Sequence, residues 1–371
     1  DEAPITVIED PTLFKEEEVK DYDPNEPVIL VFDEPEVQPE EEPVAEDENP
    51  ISVEEPEEPE EVVTYYKNPV VNNDAPDPTV VRGRDGKFYA FSTMKDGNVP
   101  VYQSDNLANW SFIGNAYTPA NVPKFVKDAG IWAPDANYIK NKYVLYFSMS
   151  TWGGEWDCGI GRSTATKAEG LYSNSKLLFT SREIGVQNSI DPVVYQEGGR
   201  NYLIWGSFRG IYLTELTEDG LELIDSKNLL KIAGTAYEGT YIHKRKGYYY
   251  LFASVGTCCE GLKSTYQTVV GRSKSLFGPY VDKQGRKMLD NHHEVLLSGD
   301  NQVKGSGHDS QILTDDKGQD WILYHGYDVS DPNAGRKMYL DQVNWGKDGW
   351  PTIGNGYPAK QGKVPSIKLK R

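Results

Sequence analysis

Long apolar runs are absent from this chain. None reaches the ~18 residues needed to span a bilayer, which excludes a transmembrane helix within it. Helical patterning is equally scarce. No stretch keeps a helical period beyond two turns, and the nearest, KAEGLYSNSKLLF, is interrupted by Gly170. Cysteine numbers three, with no C-x-x-C pair to hold a metal. Cys158 stands alone, while Cys258 and Cys259 are neighbours. Adjacent cysteines seldom bond each other because the eight-membered ring is strained, so the expectation is of lone thiols buried as small apolar groups. A secretory leader is also missing. The chain starts on an acid, which predicts an exported protein, periplasmic or at the cell surface, whose leader lies outside this sequence.

Basic residues are nearly absent from one region only. Residues 1–61 hold 25 Asp or Glu against two lysines, Lys15 and Lys20, together with ten of the 23 prolines. The whole chain carries 57 acids and 38 bases, so 32 and 36 remain elsewhere: the net charge of −19 belongs to the tail, and the rest stands at +4. Such a segment cannot bury enough apolar surface to offset the entropy of ordering, which predicts an extended, self-repelling linker over residues 1–62. Within it, PVILVFDEP at residues 27–35 is apolar enough to pair as a strand or to dock. Tails of this kind also join a lipid-modified cysteine to a surface domain, so a lipid anchor upstream of residue 1 is a further expectation. Residues 63–371 form the folded domain. A charge of +4 behind an acidic tail makes nucleic acid an unsuitable partner.

What the chain does have is aromatic residues, 12% in all, with 24 tyrosines. They suit β strands, and a minority suit platforms on which sugar rings stack. Their placement is periodic. Five times, a polar side chain in a short extended segment precedes an aromatic-rich strand: Asp77 before KFYAFSTM, Asp135 before KYVLYFSM, Asp191 before RNYLIWGSF, Glu238 before GYYYLFASV and His308 before QDWILYHGY. The gaps to the strand aromatics Tyr89, Tyr143, Tyr202, Tyr249 and Trp321 are 12, 8, 11, 11 and 13 residues, and the aromatics recur at intervals of 54, 59, 47 and 72. Asp/Gly turns such as RDGK, KDGN, DDKG and KDGWP punctuate the strands. A repeat of this length built from short strands predicts an all-β radial array, a five-bladed β-propeller of mostly four-stranded blades.

Such an array gathers equivalent side chains at its axis. Asp77 and Asp191 each precede a proline, which predicts extended backbone at the acid; Glu238 precedes Gly239, where a backbone can pass close to a ligand. Converged carboxylates repel, so one acquires a raised pKa and can act as a general acid while another stays ionised as a base. Acid and base flanking a glycosidic bond are what glycoside hydrolysis requires, with ~6.5–9.5 Å between them if water attacks directly and the configuration inverts. His292, His293 and Glu294 invite a metal reading, but adjacent histidines on a strand point to opposite faces.

The segments NPVVNNDAPDPT, GIWAPDANYI, WGGEWDCGIGRS, QNSIDP, WGSF, GTAYEGTYIHKRKGYYYLFASVGTCCEGLKSTYQTVVGRS, GPYVDKQG and GSGHDSQ resemble glycoside hydrolase family 43, the five-bladed propeller enzymes, and within it the arabinan endo-1,5-α-L-arabinosidases. The resemblance covers about residues 67–355. It implies Asp77 as the general base, Glu238 as the general acid, and Asp191 as the carboxylate that raises and orients the acid. It implies His308 beside a cation, usually calcium with water ligands, that tunes the acid–base pair. Trp132 becomes a sugar-stacking face, Asn188 and Ser207 contacts to sugar hydroxyls, and Asp135 part of a wall rather than the catalytic set. The implied substrate is arabinan or an arabino-oligosaccharide, cleaved internally with inversion. The alternatives are an exo-acting α-L-arabinofuranosidase or a β-xylosidase of the same fold, or a non-catalytic glycan-binding propeller, against which the intact acid triad argues.

Overall fold

The computed structural model describes residues 5–14 and 63–368; the apolar segment at residues 27–35 lies outside them. Strands dominate. Among the described residues the α-helical conformation is confined to the four residues Ser181–Ile184, started by a capping box between Thr180 and Glu183. The KAEGLYSNSKLLF stretch that came nearest to a helix runs instead into the strand Ser173–Thr180.

Five antiparallel sheets follow one another along the chain as the blades of a β-propeller. Blade 1 is Thr79–Arg82, Phe88–Phe91, Pro100–Ser104 and Trp110–Asn115. Blade 2 is Gly130–Ile139, Lys142–Ser150, Gly159–Ala165 and Ser173–Thr180. Blade 3 is Val193–Glu197, Arg200–Trp205, Ile211–Leu216 and Asn228–Ala233. Blade 4 is Glu238–Arg245, Tyr248–Val255, Gln267–Ser273 and Glu294–Ser298. In blade 5 the first strand is broken into Val303–Gly307 and Leu313–Thr314, both paired with Asp320–Asp328, and Lys337–Trp345 and Pro351–Ile353 complete it.

Local chemistry explains the hairpins. The first two strands of blades 2, 3 and 4 are joined by Lys140-Asn141, Gly198-Gly199 and Lys246-Gly247, and all six residues have positive φ. That is the two-residue turn whose twist matches paired strands. The blades then pack face to face. Five apolar clusters lie between them: one joins blades 1 and 2 through Phe91, Val101, Leu145 and Phe147, and another joins blades 5 and 1 through Trp321, Leu323, Phe88 and Tyr102. The other three fill the interfaces of blades 2–3, 3–4 and 4–5. All five strand aromatics picked out by the repeat are buried in these clusters. The ring is further closed by Tyr65–Lys67 pairing with Gln361–Lys363, and by the Asn68 amide bonding the carbonyls of Leu340 and Ala359.

Part of the acidic extension belongs to this unit. Thr6–Ile8 pairs in parallel with Asn228–Leu230, covering the outer edge of blade 3. Phe14 is buried, with its ring 5.1 Å from that of Phe277, and Glu9 meets Lys231 at 3.0 Å.

Candidate active site

Each blade delivers its first strand to the axis through one residue in the left-handed region: Asp77, Ala133, Asp191, Gly239 and His308, with φ of +55°, +41°, +58°, +55° and +53°. Asp and His tolerate this region better than most residues, and Gly does so freely. A Cβ on Gly239 would also lie 2.9 Å from His308 Nδ1, so the position has room only for glycine. The extended backbone expected at the two Asp-Pro steps is thereby corrected. Proline bars the right-handed helical region to the residue before it, and the chain uses the left-handed one. The same step shifts the register of the repeat. The backbone equivalents of Asp77 in blades 2 and 4 are Ala133 and Gly239, so Asp135 lies two residues further along its strand and Glu238 one residue earlier.

A cavity of ≈310 Å³ opens here. Asp77, Asp191, Glu238, Trp132, Asn188, Ser207 and His308, the residues expected from the sequence, all line it. The three acids are each 7% exposed. Trp132 is half-buried, and its ring lies 5.5 Å from that of Trp152, which is 78% exposed.

The acids are treated oppositely by their surroundings. Asp77 Oδ2 accepts from the Thr93 hydroxyl at 2.6 Å, and Oδ1 accepts from Arg336 Nη1 at 3.0 Å. His308 Nδ1 stands 3.4 Å and His325 Nδ1 3.1 Å from the same Oδ1. Burial alone would raise this carboxyl, but Arg336 first and then His308 outweigh it and hold Asp77 well below the usual carboxylate range. His325, fully buried, is lowered to about 4 by desolvation, and its Nδ1 also receives the Asp77 backbone N–H. A neutral imidazole accepting that N–H carries its own proton on Nε2, which has no partner.

At Asp191 and Glu238 the same cations, Arg336 and His308 respectively, are outweighed. Burial, then the neighbouring Glu238 and Asp77 charges, push Asp191 well above the usual range. Glu238 is also raised, by burial first, with hydroxyl donors working against the rise. Those donors are Ser207 Oγ on Oε2 at 2.6 Å and the Tyr266 hydroxyl on Oε1 at 2.7 Å. Asn188 Nδ2 donates to Ser207 Oγ at 3.0 Å, which points the Ser207 proton at Glu238. Asp191 Oδ2 receives the N–H of Gly239, the residue after Glu238, at 3.2 Å, tying the Asp191 side chain to the backbone beside Glu238. Two carboxyls so placed titrate as a pair, and both are shifted upward.

Several partners were not read from the sequence. Arg336 lies in no quoted segment; Thr93 and His325 stand in the quoted strands KFYAFSTM and QDWILYHGY, and Tyr266 and Trp152 in quoted family segments, and all four were passed over. The cysteine expectation is overturned: Cys258 and Cys259 are joined by a disulfide and line the cavity. Their loop is closed at its base by reciprocal bonds between Thr257 and Thr265, each backbone N–H donating to the other's hydroxyl at 3.1 Å. A tight loop can keep on one side two neighbours that a strand would send to opposite faces. Cys158 is a buried free thiol, as expected.

Beneath the cavity a narrow axial void is lined by His308, Asp191, Asp135 and Asp309. Asp309 Oδ2 is buried there without a hydrogen-bond partner. The carboxylate oxygens suit a hard cation that completes its shell with water; the imidazole of His308 lies beside them. Among the described residues no group of three or more His, Cys, Asp or Glu is arranged to hold a metal by itself. His293 lies apart, with Nδ1 3.0 Å from the Tyr237 hydroxyl.

The axial mouth of this five-bladed propeller thus holds one buried carboxyl shifted down and two shifted up. Residues 66–351 match the model of glycosyl hydrolases family 43, and the chain belongs to that family. It is 33% identical to the extracellular endo-α-(1→5)-L-arabinanase 1 of Bacillus subtilis, over 74% of this chain and 86% of that protein. It is 31% identical to the extracellular exo-α-(1→5)-L-arabinofuranosidase ArbA of Cellvibrio japonicus, over 76% and 86%. Among solved structures, an α-L-arabinanase of Cellvibrio cellulosa complexed with arabinohexaose superposes with a TM-score of 0.69 at 29% identity, covering 76% of this chain and 96% of that one. The chain is thus a glycoside hydrolase of the arabinanase type by likeness. No helix among its described residues is long and apolar enough to cross a membrane.

Proposed function

We propose that this chain hydrolyses the α-1,5-L-arabinofuranosidic bonds of arabinan, from within the chain and with inversion of configuration. The observation that carries the chemistry is the opposite treatment of three equally buried acids: at Asp77 the Arg336 and His308 charges outweigh burial, whereas at Asp191 and Glu238 burial and the neighbouring acids outweigh those same cations. Asp77, held ionised, is the base that takes a proton from the attacking water. Glu238 delivers the retained proton to the leaving glycosidic oxygen. Asp191 keeps the pair from ionising fully and, through the Gly239 N–H, fixes where Glu238 stands. Ser207 acts on sugar through Glu238, with Asn188 behind it. Trp132 and Trp152 offer the aromatic faces on which a furanose ring can stack.

A cation such as calcium would be held by His308 and water above the axial void. Bound there, it supplies positive charge beside the carboxylates. Dialysis against a chelator is expected to lower kcat without unfolding the domain, and added calcium to restore it.

Cleavage within the chain is supported by the names of the relatives, most of which are endo-acting. Exo action is the second reading, favoured by the Cellvibrio japonicus relative and by a solved exo-1,5-α-L-arabinanase from a bovine ruminal library at 32% identity. Sizing the products of linear arabinan over time separates them: early oligosaccharides are expected, and arabinose alone from the first minutes would establish exo action. Proton NMR of the first product tests inversion. Export, to the periplasm or the surface, is supported by the relatives' description as extracellular; detection of the native protein in the cytosolic fraction would refute it.

A further inference from the structure

We infer that the Cys258–Cys259 disulfide is a sugar-contacting wall of the active-site cavity, and that the site is complete only when this bond is oxidised. The inference rests on the arabinan reading and adds a specificity element to it. Two observations and one chemical argument carry it. The disulfide lines the same cavity as Asp77, Asp191 and Glu238, and both cysteines are half-buried, leaving part of each open to that space. The loop bearing it is anchored on the acid's own support: Tyr266, whose N–H bonds the Thr257 carbonyl at 3.1 Å, donates its hydroxyl to Glu238. The opposite chemistry is excluded at this spot, because a disulfide has no proton to give and no charge to disturb the raised pair.

Joined, the two sulfurs present one rigid, polarisable, apolar patch, the surface that suits the C–H face of a furanose ring. Parted, two adjacent thiols are free to turn apart, and each adds a weak donor to the cavity. Reduction by a dithiol breaks the S–S bond with two electrons and two protons, giving two thiols while the dithiol closes to its cyclic disulfide. Cys158 cannot exchange into the pair, since it is fully buried and 3.2 Å from the Ser181 hydroxyl. Disulfides persist in oxidising compartments and are reduced in the cytosol, so the contact wall forms only on an exported molecule.

The test uses the whole chain, oxidised, dithiothreitol-reduced, and as the C258S/C259S double variant, with arabinan and arabino-oligosaccharides as substrates. Unfolded without reductant, the oxidised protein is expected to show one reactive thiol by mass shift with iodoacetamide; three would overturn the inference. Reduction and the double variant are each expected to raise KM about ten-fold, the low end for one lost apolar contact, with kcat within about two-fold. A merely structural bond would lower the melting temperature and leave KM where it was, and that result overturns the inference. Should the double variant fail to fold, the reduced wild type reads the same split. If the oxidised wild type cleaves no arabinan, the substrate reading falls and the sugar contact with it. If it cleaves and reduction changes nothing, only the inference on the disulfide falls.

Discussion

Two levels of the propeller axis hold buried carboxylates, and they behave differently. In the cavity, Asp77, Asp191 and Glu238 are bonded to groups that either force a charge or share a proton. Below it, Asp135 and Asp309 are just as buried but meet neutral donors. Asp135 accepts the Val194 N–H of blade 3 at 2.8 Å and the Thr79 hydroxyl of blade 1 at 3.3 Å, so that one side chain of blade 2 stitches three blades together. Asp309 accepts the Thr268 hydroxyl of blade 4 at 2.8 Å. Burial raises Asp135 to about 6 and Asp309 to about 7. The residue type and the depth are the same at both levels. What separates a chemical role from a structural one is whether a cation or a second acid faces the carboxyl, and whether substrate can reach it.

The comparison is broken most severely at the upper level. Asp77→Ala or Glu238→Ala is expected to reduce kcat on arabinan by about 10²–10⁴-fold, the range for losing a general base or acid, while the circular dichroism spectrum is kept. Near-normal turnover in either variant would remove the proposed roles. Arg336→Met should come next. It strips Asp77 of its strongest cation, so the carboxyl rises and the acid limb of the kcat/KM profile moves to higher pH; an unmoved limb would show that His308 suffices. The stability sign follows as well. Asp77, depressed in the fold, contributes stability that is present above its unfolded pKa near 4 and lost as pH falls through the lower folded value. Arg336→Met should therefore weaken the protein most at neutral pH.

The lower level gives smaller effects of opposite sign. Asp309 is raised, so its contribution is fully present below about 4 and lost as pH rises through about 7. Asp309→Asn is expected to flatten the fall of melting temperature between pH 5 and pH 8, with activity on arabinan kept; an unchanged slope would show that Asp309 does not titrate there. Ser207→Ala should be mildest, removing one hydrogen bond to Glu238 worth about 0.5–1.5 kcal/mol. Read as a few-fold loss in kcat/KM, with the alkaline limb moved upward, it would place Ser207 as a positioning residue. A KM change alone would make it a sugar contact instead.

The two levels were not equally legible in the sequence. Asp77, Asp191 and Glu238 stood out because each sits in a local motif within a repeat, and local motifs survive in a one-dimensional reading. The repeat's alignment failed by one or two residues at Glu238 and Asp135, since the left-handed step that defines equivalence is taken by Ala133 and Gly239, residues with no polar side chain to betray it. The disulfide was misjudged because a general rule on adjacent cysteines says nothing of a loop shaped to hold both on one side. Arg336 was invisible for another reason. It lies 259 residues from Asp77, and only the closure of blade 5 onto blade 1 brings them to 3.0 Å.

By itself the sequence determined the architecture: short aromatic strands, turn residues at fixed spacing and an absence of helical period leave a propeller as the way to bury the strand faces. It also determined which acids reach the axis, because their places are set by the strands that follow them. The tertiary structure decided what those acids are. A carboxylate's charge state depends on the groups within a few ångströms of it, and here those groups come from other blades, so the shifts on which the proposed division of labour rests exist only once the ring is closed.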